Sequence, residues 1–145
     1  MSKKTKIILY IFLLFNFSNL LLAENNFFEE GKKKYYEKKY EDSKFLFQRS
    51  IVFNPKDSIS YLYLAKIYNS EKNRKEEEKN INTVLLLDPK NEEATFMLME
   101  IELKKSNYSK VKKLINNFSK ICKNLCNKKT LILDSLKNLE PKNES

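Results

Sequence analysis

Two cysteines, Cys122 and Cys126, and a scatter of carboxylates are the side chains here whose chemistry could exceed packing. The cysteines stand four residues apart in SKICKNLCNKK, with no second Cys pair and no histidine anywhere in the 145 residues. An ordinary four-ligand zinc site of Cys and His is therefore excluded, and the commonest general base is missing. Gly31 is the only glycine, so no Gly-rich phosphate loop exists. The acidic residues lie on polar helix faces without a placement that singles out a catalytic pair. The sequence reads as a non-enzymatic chain with no cofactor and no metal. On one continuous helix the cysteines would share a face, where disulfide geometry is strained. A turn at Asn124 or Asn127 would make a bridge feasible and pin whatever follows it. Two buried free thiols are the expectation, because Cys is a common small core residue.

The elements that must position these side chains are helices. One glycine and three prolines disfavour a β-sandwich or barrel, which needs frequent Gly-rich turns. The length suffices for one domain with a proper core. The formal charge of +9 could suggest nucleic acid. Arginine, the preferred fork for phosphates and bases, occurs only at Arg49 and Arg74. The lysines alternate with Glu, as in KKKYYEKKYED and NRKEEEKN, which reads as solvated helix faces. No nucleic-acid partner is expected.

Residues 1–23 read as an address. Lys3, Lys4 and Lys6 precede an apolar run from Ile7 to Phe15, and Ala23 ends the stretch before polar residues. That order is a secretory leader, cleaved after Ala23. The alternative is an uncleaved anchor over residues 7–23, at the low edge of what spans a bilayer. Either way the chain is expected in the periplasm or cell envelope, soluble or held at the inner membrane. Membrane association is expected only through that anchor or through an envelope complex.

The rest of the chain repeats. SIVFNPKDSIS at 50–60 and VLLLDPKNEEA at 84–94 share one outline, and Pro55 and Pro89 stand 34 residues apart. Each proline ends a helix, because it cannot continue one and biases the preceding residue away from the α region. Asn91 can then cap a new helix, with Glu92 and Glu93 in its first turn. Leu62, Ala65 and Tyr68, then Ile81, Val84 and Leu85, recur at helical spacing.

With Gly31, Tyr40, Ser43, Phe47, Ser50 and Pro55 in the first unit, this period resembles the tetratricopeptide repeat, a helix–turn–helix of 34 residues. Tyr61, Leu64, Ala65, Tyr68, Ile81, Val84, Leu85 and Leu87 carry the likeness in the second unit. Leu98, Tyr108, Val111, Ile115 and Phe118 carry it in the third. Glu77, Met99 and Lys34 depart from the family's preferences. The resemblance implies an all-α, right-handed superhelical stack of three helix pairs, at about 24–57, 58–91 and 92–123. A capping helix at about 128–140 would use Leu131, Ile132, Leu136 and Leu139 as its apolar face. A disordered tail over 141–145 would follow.

The resemblance also implies a non-enzymatic scaffold that binds a protein or peptide along the first helix of each pair. The family's groove positions fall on Phe28, Lys32, Tyr35 and Tyr36, then on Ile59, Leu62, Lys66, Asn69 and Ser70. In the third unit they fall on Glu93, Phe96, Glu100, Leu103 and Lys104. Phe28, Leu62 and Phe96 are equivalent and would form an apolar stripe for an apolar or aromatic segment, with Lys32 and Lys66 placed to hold an acidic residue beside it. The Lys and Asn set with which some relatives clamp a C-terminal carboxylate is not matched by Phe28, Lys32, Tyr63, Glu93 and Met97. The alternative is a structural subunit of a larger envelope assembly, such as one that inserts outer-membrane proteins.

Overall fold

The computed structural model describes residues 26–139, so the expected leader and tail lie outside the described residues. These residues form seven helices and no strand. They are α1 (26–36), α2 (Tyr40–Phe53), α3 (Ser58–Ser70), α4 (Arg74–Leu87), α5 (Glu92–Lys104), α6 (Tyr108–Ile121) and α7 (Lys128–Leu139). The chain divides into two compact units, up to Tyr63 and from Leu64, with the boundary inside α3.

The 34-residue period appears in the backbone at two kinds of turn. The first joins one pair to the next. Asn54 and Asp88 each follow the last helical residue, and their side chains accept from the N–H two residues on, at Lys56 and Lys90. Their carbonyls accept from Asp57 and Asn91, both at 3.1 Å. With proline second in each turn, Asx-Pro-Lys-Asx is one device used twice. Its fourth residue opens the next helix. Asp57 accepts from the Ile59 N–H at 3.0 Å, and Asn91 caps α5 through the Ala94 N–H at 3.0 Å.

The second turn lies within each pair, and neither proline nor glycine marks it. Lys38, Lys72 and Ser106, each 34 residues from the next, adopt φ of 60°, 59° and 59°. Each donates to the carbonyl three residues back, and the following residue donates five back: Lys39 to Lys34, Asn73 to Tyr68, Asn107 to Glu102. This is the Schellman ending of a helix, whose left-handed residue is usually glycine.

In the first unit the close approach falls at Gly31. A Cβ there would stand 3.1 Å from two ring carbons of Phe47, which is fully buried. Ser43, also fully buried, donates to the Gly31 carbonyl at 2.9 Å. The missing side chain and the small partner let α1 and α2 meet. Ser50 is buried on the same face of α2.

In the second unit α5 is the central element, packed by α4, α6 and α7. Most of its length is buried. Met99 and Leu103 join Val111, Ile115 and Phe118 of α6 and Ile132 and Leu136 of α7 in one apolar cluster. Met99 departs from the family's small residue yet is fully enclosed. Glu102, 1 % exposed, is the charged exception on this helix. Asn107 donates to it at 2.6 Å and Lys110 at 2.8 Å. Burial pushes the Glu102 carboxyl up, but the bonds from Lys110 and Asn107 outweigh it and leave the group below its ordinary value. The Tyr108 hydroxyl donates to the Leu139 carbonyl at 2.8 Å and ties the end of α7 to α6.

Glycine is therefore present where space demands it and missing where conformation would favour it. Gly31→Ala gains roughly 1 kcal/mol of helix propensity, but overpacking against an enclosed ring costs about 1–3 kcal/mol. Lys72→Gly relieves a left-handed strain of roughly 1 kcal/mol. Urea unfolding should show Gly31→Ala less stable than the parent and Lys72→Gly more stable. The reverse order would contradict both assignments.

Candidate functional site

The first helix of the first unit carries an aromatic cluster. Phe28, Lys32, Tyr35 and Tyr36 recur at helical spacing on α1, and the structure brings all four together. Tyr35 meets Tyr36 edge-on at 5.5 Å and Tyr63 at 5.1 Å. Tyr63 stacks on Phe47 at 4.9 Å, and Phe28 packs on both rings. Tyr36 is 71 % exposed, with its hydroxyl 3.3 Å from that of Tyr63.

Leu62 is only 6 % exposed, so the expected stripe of Phe28, Leu62 and Phe96 does not form as an exposed row. Leu62 sits on the core face of α3, and its neighbour Tyr63 supplies the aromatic surface instead. Helix phase puts Leu62 nearly opposite the buried positions 60, 64 and 67, on a second covered face that it shares with fully buried Ala65, and leaves Tyr63 between the two faces and partly exposed. Tyr63 was legible only as a failed match to a carboxylate clamp.

The lysines expected to await an acidic ligand are occupied. Lys32 pairs with Glu29 at 3.2 Å and lies 5.3 Å over the Phe28 ring. Lys66 pairs with Glu93 at 2.8 Å. Asn69 donates to the buried Glu77 at 2.7 Å, which satisfies the acid that stands where the family prefers a small residue. Ser70 bonds back to the Lys66 carbonyl at 3.1 Å, and Ile59 remains exposed on α3.

Within the second unit, Phe96, Glu100, Leu103 and Lys104 line one pocket of about 240 Å³, closed on its far side by Leu131, Ile132, Ser135 and Leu139 of α7. Four of the expected positions thus meet in one place. Leu103 is 7 % exposed and forms the floor. Leu131 and Leu139, expected on the buried face of the cap, are exposed and form the rim, while Ile132 and Leu136 do the burying. Lys128 stands 5.5 Å over the Phe96 ring. Burial raises the Glu100 carboxyl above its ordinary value of 4.5, against the pull of Lys104 and Lys128. A larger and more open depression of about 650 Å³ at the start of α6, lined by Ser106 to Lys110 and Lys113, holds none of the expected groove residues.

Cys122 and Cys126 form a disulfide, not two buried thiols. Helix α6 ends at Ile121, so the pair lies in a turn, with Cα atoms 5.2 Å apart. The turn is held from α5 as well. Glu92 accepts from the N–H groups of Asn124 at 3.0 Å and Leu125 at 2.8 Å, and these bonds, Leu125 foremost, hold its carboxyl below the ordinary value. Bridge and carboxylate together set where α7, the pocket's outer wall, begins.

No family model matches the sequence, and no curated protein matches it. Solved structures do match. The TPR2B domain of yeast Sti1 in complex with an Hsp70 peptide has a TM-score of 0.72 at 11% identity, over 81% of this chain and 98% of that one. The Yersinia enterocolitica type III secretion chaperone SycD, in complex with a peptide of the translocator YopD, has a TM-score of 0.70 at 19% identity, over 83% and 94%. The second TPR domain of human RPAP3 with an Hsp70 peptide has a TM-score of 0.67 at 17% identity, over 85% and 99%. The fold is the all-α tetratricopeptide-repeat helical stack.

The turn at 122–127 gives a direct test of how the pocket wall is held. The loop closed by the bridge is short, so its chain-entropy contribution is at the low end, about 2 kcal/mol. A Cys122→Ser/Cys126→Ser variant should lose about that much hydrogen-exchange protection in the amides of α7. Undiminished protection would mean that Glu92 and the apolar contacts suffice.

Proposed function

We propose that this chain is a non-enzymatic adaptor that binds a peptide or protein segment on the first helices of its repeats. The observation that carries the reading is the α5–α7 pocket, where Phe96, Glu100, Leu103 and Lys104 converge. Apolar walls with a few convergent polar groups are what a binding site requires; in the other unit, Tyr36 is an exposed aromatic on α1. The solved structures of like fold, two of them with Hsp70 peptides and one with a translocator peptide, support the same reading. A C-terminal carboxylate is disfavoured as the ligand, because Phe28, Tyr63, Glu93 and Met97 supply no cation and Lys32, the one cation at the clamp positions, is paired with Glu29. The basic and apolar leader over 1–23 supports an exported protein acting in the cell envelope.

A second reading, a fixed subunit of an envelope assembly, is favoured by one surface. Phe45, Arg49, Val52 and Phe53 lie along one face of α2, with Phe45 58 % and Val52 70 % exposed. Arg49 lies over the rings of Phe27 and Phe45 at 5.8 and 5.6 Å. Exposed aromatics with arginine suit a protein interface.

Selection of displayed random peptides on the purified protein tests the first reading. Peptides should enrich, and Tyr36→Ala/Phe96→Ala should weaken them roughly tenfold or more. Phe28 is spared because its ring supports Phe47 and Tyr63. No enrichment, or unchanged binding by the variant, would contradict the adaptor. Intact mass of the native protein should show a chain starting at Glu24, and a retained Met1 would contradict cleavage.

A further inference from the structure

Four glutamates lie along α5, and three have partners. Glu92 holds the turn at Asn124 and Leu125, Glu93 pairs with Lys66, and Glu102 is bound by Asn107 and Lys110. Glu100 has no hydrogen bond or ion pair among the described residues, although it is only partly exposed. It stands in the wall of the α5–α7 pocket among Phe96, Leu103, Leu131 and Leu139. A carboxylate half withdrawn from water without a donor is costly, and any ligand that covers it must supply one.

The surroundings decide what that ligand is. The pocket's 240 Å³ falls short of the roughly 300–1,000 Å³ typical of small-molecule sites and fits one large side chain. Lys104 follows Glu100 by one turn, and Lys128 stands over Phe96. Two ammonium groups at the mouth disfavour a cationic guest, although Glu77 on α4 acts on Glu100 in the opposite sense. A purely apolar guest would seal Glu100 without a donor. An aromatic ring with an N–H or O–H tip meets every demand: ring against Phe96 and the leucines, tip to the carboxylate.

We propose that the α5–α7 pocket is an anchor site for a Trp or Tyr side chain, whose N–H or O–H donates to the Glu100 carboxylate, in a segment with an acidic residue placed beside Lys104 and Lys128. This rests on the adaptor reading above. It adds the chemistry of the anchor residue, which neither the repeat pattern nor the like folds supply.

The probes are N-acetyl-Glu-Trp-amide and N-acetyl-Glu-Phe-amide, titrated at pH 7 into the ¹⁵N-labelled protein. The Trp probe should shift the amides of Phe96, Leu103, Leu131 and Leu139 and bind about fivefold tighter than the Phe probe. Glu100→Ala should erase that preference and leave Phe-probe binding no weaker, while Glu100→Gln, which keeps an acceptor, should retain part of it. Equal binding of the two probes by the parent would overturn the role of Glu100. Shifts confined to Phe28 and Tyr36 would overturn the pocket and leave the adaptor reading standing. No shift with either probe, together with no enrichment from displayed peptides, would overturn both.

Discussion

The second unit depends on the burial of α5. A single helix pair leaves an apolar stripe it cannot cover alone, and stacking is how repeats of this kind solve the problem. Here α4, α6 and α7 all pack on α5, which is the most enclosed helix described. That enclosure forces a choice on each polar side chain the helix carries. Glu102 lies inside and is answered by an amide and an ammonium group. Glu92, at the helix start, reaches across to backbone N–H groups of the turn before α7. Glu100 is left at the edge, where the walls are apolar and the donors are missing. Structure and candidate function thus divide along one helix, EEATFMLMEIELK.

The same economy explains the charge pattern. A surplus of lysine gives the chain its basic character, yet two of the three lysines at the expected groove positions are committed, and Lys104 is the exception. Lys32 goes to Glu29 and the Phe28 ring, and Lys66 to Glu93. Exposed pairs of this kind contribute little stability. Their effect is to neutralise the first helices, so that selectivity rests on aromatic surface and on the few uncommitted groups.

Much of the fold was legible because its determinants are local. The two Asx-Pro-Lys-Asx seams announce helix ends by chemistry that acts within four residues, and the capping role of Asn91 follows directly. Gly31 was legible through its place in the repeat pattern, and the structure supplies the reason, since a Cβ there would press on the Phe47 ring. The left-handed turns at Lys38, Lys72 and Ser106 were not, since lysine and serine carry no signal for that conformation and only their spacing betrays it. The groove was legible in outline but not in phase. Leu62 and Tyr63 are neighbours in sequence and opposite in fate, a distinction that depends on tertiary packing. The disulfide was hidden for the same reason: whether Cys122 and Cys126 share a helix or a turn is decided by where α6 stops.

Glu100 is a partly buried carboxylate without a donor among the described residues, set apart from the other acids of α5. Site-resolved ¹³C NMR titration of the glutamate carboxyl groups in the intact protein tests it most directly. Glu92 and Glu102 should titrate below the ordinary value of 4.5 and Glu100 above it. A Glu100 that titrates at or below that value would be solvated or already paired, and the pocket would then lose the feature that selects its guest.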